Sequence, residues 1–139
     1  MREILFMREI LFRGKRKDDD KWAYLYLYIR NDGQYEISFY SKYFDSERFT
    51  YDVIPETVGQ YIGLTDKNGK KIFEGDILKN IESDEIVDIC YSGCSFRYSY
   101  NNSIYGYGVD DIEEGILTDE FEVIGNIYDN PELLLNYNK

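Results

Sequence analysis

KWAYLYLYIRNDGQYEISFY, Lys21 to Tyr40, alternates with a period of two: Trp22, Tyr24, Tyr26 and Tyr28 fall on one face, and Leu25, Leu27 and Ile29 on the other. Aromatic and β-branched residues suit a pleated, half-buried surface, so the run reads as a strand. Asn31-Asp32-Gly33 then supplies the positive φ angles of a tight turn, and QYEISFY follows as the second strand of a hairpin.

The same grammar continues outward. In LTDKNGKKIF, Asn68-Gly69 separates Gly63-Leu64 from Ile72-Phe73 as a second hairpin turn. ILKNI, EIVDICY, SFRYSY and FEVIGNIY read as further strands, divided by Glu82-Ser83-Asp84, by Ser92-Gly93 and by a polar, glycine-rich stretch from Asn101 to Gly115 that reads as a mobile loop. Helical spacing is scarce until the end of the chain. There Asn130 can cap a short helix, Pro131 suits its first position and Glu132 favours its positive end. The block Arg13 to Lys17, followed by Asp18, Asp19 and Asp20, cancels its own charge and reads as a solvated turn.

Composition excludes several function classes. The 139 residues suffice for a core without staples, and a net charge of −11 disfavours phosphate-backbone binding, which needs Lys and Arg to displace counterions. The two cysteines, Cys90 and Cys94, make no disulfide framework, and no signal peptide is evident, so the cytosol is the expected compartment. No run approaches the roughly 18 apolar residues of a membrane span. The sequon Asn101-Asn102-Ser103 then carries no glycan.

One long stretch resembles a known family. QYIGLTDKNGKKIFEGDIL, Gln60 to Leu78, is similar to the signature of the YopX-like proteins of phages and prophages. REILFRGK, Arg8 to Lys15, looks like that family's start, and FEVIGNIYDNPELL, Phe121 to Leu134, like its end. The resemblance implies a mainly β protein with a small SH3-like barrel roll around EGDIL, to which the residues themselves add an N-terminal β-hairpin region and a short C-terminal helix. It divides the chain into residues 7–53 and 54–136, or one continuous domain over 7–136. It also makes Met7 the expected initiator, because MREILF occurs twice, at Met1–Phe6 and Met7–Phe12, and a repeat of this length is too short to build a fold. Within the family-like stretch, Gln60, Tyr61, Gly63, Leu64, Asp66, Asn68, Gly69, Glu74, Gly75 and Asp76 are expected to act structurally. Gly75-Asp76 would shape the turn before the following strand.

Candidate chemistry is sparse. The chain has no histidine, which removes imidazole bases and His-ligated zinc, and the CxxxC of Cys90 and Cys94 is neither a zinc set nor a redox motif. DKNGKKIFEGD fails the EF-hand pattern, since position five is Lys70 and the glycine falls at position four. Asp110, Asp111, Glu113 and Glu114 offer oxygen ligands of the kind a magnesium-dependent nuclease uses, without the accompanying Lys or His. Tyr98, Tyr100, Tyr105 and Tyr107 surround the glycine-rich loop and, with Trp22 and the acidic residues, suit a protein interface better than a nucleic-acid groove, which would need a positive field. The expectation is a non-enzymatic protein without cofactors that binds protein partners and assembles with itself. The alternatives are an acidic DNA mimic that inhibits a host nuclease or DNA-binding protein, and a metal-dependent hydrolase.

Overall fold

The computed structural model describes residues 9–40, 48–99, 109–112 and 114–137. The chain forms two compact units, Met1–Tyr61 and Ile62–Lys139, and the doubled Met1–Phe6 lies outside the described residues.

The first unit is built from β1 (Phe12–Lys15), β2 (Trp22–Ile29), β3 (Tyr35–Tyr40), β4 (Arg48–Val53) and the start of β5 (Gly59–Thr65), in the spatial order β4-β3-β2-β1-β5 with antiparallel neighbours. The Asp-Gly hairpin of β2 and β3 forms as the sequence predicts, with Gly33 at φ +86° and its N–H donating to Arg30 O at 2.9 Å. β2 pairs with β1 through Leu25 and with β3 from Tyr26 onward. At that change of partner Leu25 takes φ +138°, a conformation costly for a residue with a Cβ. A bridge between Arg16 and Val53 brings the end of β4 back to the end of β1, with Ile54 N–H donating to Lys15 O at 2.8 Å. That approach leaves no room on Gly14, where a Cβ would stand 3.0 Å from Val53. Ala23, Ile37 and Val53 form the buried core, flanked by Phe12, Leu27, Tyr35, Tyr51 and Val58.

In the second unit β5 continues past Tyr61 and lies beside β6 (Lys71–Phe73). A second antiparallel sheet has the order β10-β9-β8-β7-β11, from β7 (Asp76–Asn80), β8 (Ile86–Ser92), β9 (Ser95–Ser99), β10 (Val109–Asp111) and β11 (Phe121–Asn126). Two short helices complete it, α1 (Glu114–Glu120) and α2 (Glu132–Tyr137). The core is Ile72, Leu78, Val87, Ile89, Tyr98, Leu117 and Phe121.

Three expectations need correction. The fold is mainly β, but the SH3-like barrel roll is replaced by an open sheet. A barrel needs its edge strands tilted and staggered until they bond to each other. Here the apolar face is covered instead by Leu117 and Ile116 of α1 and by Ile72, Ile62 and Leu64 of the β5 and β6 hairpin, and edges β10 and β11 stay apart. Second, Glu114 and Gly115 belong to helix α1 rather than to a loop, while 101–108 lie outside the described residues. A seven-residue helix is too short to announce itself by periodicity, and its apolar anchor, Leu117, is fully buried. Third, the α2 helix forms, but the Asn130 side chain turns away from it and accepts a hydrogen bond from Asn126 N at 3.2 Å.

Candidate functional site

The family-like stretch holds a set of turn contacts around two buried carboxylates, Asp66 and Asp76. Asp66, 3% exposed, accepts at Oδ1 from Asn68 N (2.8 Å) and Lys70 N (2.9 Å), and at Oδ2 from Val123 N (2.9 Å). Next to it Lys67 N–H donates to Phe121 O at 2.9 Å. Together these contacts imitate one rung of a ladder along the outer edge of β11, so a turn covers an edge that would otherwise present unpaired backbone groups. Asp76, buried, accepts from Phe73 N at 2.8 Å and closes the turn in which Gly75 adopts φ +90°. Gly69 and Gly63 take φ +83° and +94°. Tyr61 is buried, Gln60 pairs with Phe12, Leu64 packs on the second core, Glu74 is half-buried and Asn68 is exposed in the turn.

Of the residues expected to form an interface, the structure describes Trp22 in the first unit and Tyr98, Asp110, Asp111 and Glu114 in the second. Tyr98, 7% exposed, faces the second core opposite Ile89, where burial removes it from solvent. Trp22 is half-buried in the first unit with the Arg13 guanidinium 4.7 Å from its ring centroid. Tyr100, Tyr105, Tyr107 and Glu113 lie outside the described residues. Asp110 and Asp111 sit on β10 opposite Tyr98 and Arg97, and Glu114 begins α1. Among the described residues no group of three or more His, Cys, Asp or Glu is placed to hold a metal ion.

A different surface stands out in the first unit. Tyr24, Tyr26 and Tyr28 are 50%, 52% and 57% exposed along one side of β2. Cross-strand register extends this stripe into rows, because residues directly opposite share a face. One row is Tyr26, Ser38 and Thr50, and the next is Tyr28, Glu36 and Asp52. The second row sets two carboxylates side by side, an arrangement that destabilises a sheet unless something positive answers it. Arg30 answers in part: it holds Asp32 at 2.9 Å and reaches Glu36 at 3.7 Å. Among the described residues no cation pairs with the Asp52 carboxylate. Lys17, nearby, donates to Gln34 Oε1 at 2.6 Å, and Arg16 is engaged by Asp18 at 3.3 Å while stacking 3.7 Å from the Tyr51 ring centroid. The Arg16 hydrogen bond lowers the Asp18 pKa from its ordinary value.

Two concavities adjoin these rows and share Arg30 and Glu36, one of about 580 Å³ that reaches Lys17, Asp18, Thr50 and Asp52, the other of about 450 Å³ that reaches Tyr28, Asn31 and Asp32. Their walls carry four carboxylates and two cations. Sequence reading set Tyr24, Tyr26 and Tyr28 on one face of a strand without naming them as candidates, and it missed Glu36 and Asp52. RFTYDV carried an alternating strand signal, yet only register tells which of its residues stands opposite Glu36.

In the second unit, burial raises the Asp88 carboxyl above its usual range and, with Asp88 and Glu74 nearby, raises the Cys90 thiol. A raised thiol is a poor nucleophile, and Cys94 lies exposed in the β8 to β9 turn.

Comparison with known proteins places this architecture. The family model described as "YopX protein" matches residues 11–135. A solved structure, protein EF1440 from Enterococcus faecalis, is similar to the chain with a TM-score of 0.59 and 22% identity, covering 92% of this chain and 99% of that one. At that identity the likeness concerns the fold. No curated protein matches the chain.

Proposed function

The chain belongs to the YopX protein family, and from that membership together with its exposed tyrosine face we propose that it is a non-enzymatic, phage- or prophage-encoded accessory protein that works by binding other proteins. The observation that carries this reading is the stripe Tyr24, Tyr26 and Tyr28, each at least half exposed on an ordered strand. Tyrosine supplies rigid, amphipathic area at low entropic cost and is enriched at protein interfaces. Partners are host or phage proteins of the bacterial cytosol, and further copies of the chain can join them by pairing exposed strand edges. The test is recovery of partners from host lysate by the full chain and by a Tyr26→Ser/Tyr28→Ser variant, with light scattering for self-assembly. A partner lost on substitution supports the reading; an unchanged set of captured proteins refutes it.

A second reading, an acidic mimic of DNA, draws support from where the charge lies. Ile62–Lys139 holds sixteen carboxylates against six cations, a net −10 of the chain's −11. Such a field speeds encounter with basic clefts and makes binding salt-sensitive. Competition with DNA for a panel of host nucleases and DNA-binding proteins tests it, and no displacement anywhere removes it.

A further inference from the structure

We infer that the row Tyr28, Glu36 and Asp52, extended by Tyr26, is a receptor for arginine or lysine side chains of a basic protein segment; the inference rests on the protein-binding reading above and names its partner's chemistry. Two independent features point to a cation on a polypeptide, an incompletely neutralised carboxylate pair and the exposed rings beside it. Glu36 and Asp52 are opposed across β3 and β4, a like-charge pair that a sheet tolerates poorly, and among the described residues Asp52 has no ionic partner. Arg30 neutralises the pair only at one end, since its shorter contact is with Asp32. Beside the carboxylates stand two exposed rings, and successive same-face residues on a strand lie about 7 Å apart, a spacing that lets neighbouring side chains of an extended segment meet successive rings. A cation over an aromatic face gains further attraction once partly desolvated. This unit already uses that chemistry internally, with Arg13 against Trp22 and Arg16 against Tyr51.

The alternatives fit less well. Two carboxylates are too few to cage a bare metal ion, and nucleic acid would be repelled. A second copy docking through the same face would set like charges against each other in an isologous contact. The adjoining shallow depressions are lined by more carboxylates than cations.

The test uses the full chain and three short labelled peptides of one extended sequence, carrying arginine, its neutral isostere citrulline, or glutamate at alternate positions. Fluorescence anisotropy should give at least about tenfold tighter binding for the arginine peptide, weakening as salt rises. NMR shifts should centre on Tyr26, Tyr28, Glu36 and Asp52. Glu36→Gln/Asp52→Asn should lose about tenfold in affinity while its melting temperature holds or rises, because the variant removes a like-charge pair. Equal binding of the arginine and citrulline peptides overturns the proposal, as do shifts centred on the acidic residues of Ile62–Lys139. If basic peptides fail but the Tyr26→Ser/Tyr28→Ser variant still loses its lysate partner, the basic-segment assignment falls and the protein-binding reading stands. If neither readout responds, both fall.

Discussion

Replacing Asp66 by alanine should unfasten the edge of β11 and destabilise the second unit by about 3 kcal/mol. The carboxylate accepts three backbone hydrogen bonds, at 2.8, 2.9 and 2.9 Å. Asn68 and Lys70 lie in an exposed turn where water can replace the lost acceptor, so each contributes roughly 0.5–1 kcal/mol. Val123 is half-buried, and stranding its N–H adds about 1–2 kcal/mol. With an m-value near 2 kcal/mol/M in urea, a loss of about 3 kcal/mol moves the midpoint down by about 1.5 M. Asp66→Asn should fall between wild type and alanine, because an amide keeps one acceptor oxygen but turns N–H toward one of the donors. Urea unfolding followed by circular dichroism gives the total, and amide hydrogen exchange at Val123 localises it. A midpoint shift below about 0.25 M, or Val123 protection equal to wild type in the alanine variant, would refute the idea that this side chain caps the strand.

Other outcomes follow from the same geometry. Gly14→Ala should destabilise the first unit by about 2 kcal/mol in a denaturant titration, since its Cβ would meet Val53 at 3.0 Å and Val53 is fully buried. Cys94 occupies φ +68° beside Gly93 at φ +61° in the two-residue turn between Ser92 and Ser95, so Cys94→Asn, which tolerates that region better, should raise stability by about 0.5–1 kcal/mol by thermal melting. Asp88 has its folded-state pKa raised by burial, so the native state binds the proton more tightly than the unfolded chain. Its stabilising contribution is present below the ordinary carboxylate pKa and is lost as pH rises through the raised value. Asp88→Asn should therefore be more stable than wild type at neutral pH, with the difference shrinking as pH falls toward the ordinary carboxylate range, and a pH series of urea midpoints checks it.

The chain's local rules were enough for the first hairpin, most of the later strands and the last helix, but not for β4, β10 or α1. Alternation along WAYLYLYI and IVDICYS, and the turn chemistry of Asp32-Gly33, Asn68-Gly69 and Gly93, gave a mainly β protein, because φ preference and side-chain period act over a few residues. Pro131 and Glu132 likewise marked a terminal helix that forms. RFTYDV carried the same alternating signal, though only the assembled sheet made it the neighbour of β3. What tertiary structure alone decided depends on residues distant in sequence. Asp66 serves β11 across 57 positions, and Leu117 makes a helix of a seven-residue segment by supplying it with a core to cover. The open sheet, the burial of Tyr98 and the meeting of Glu36 with Asp52 likewise follow from register and from which element covers which face. A one-residue slip would send Glu36 or Asp52 to the opposite face, and no local signal in the sequence sets the register of β3 on β4, whereas Tyr98 is buried because other elements cover its face.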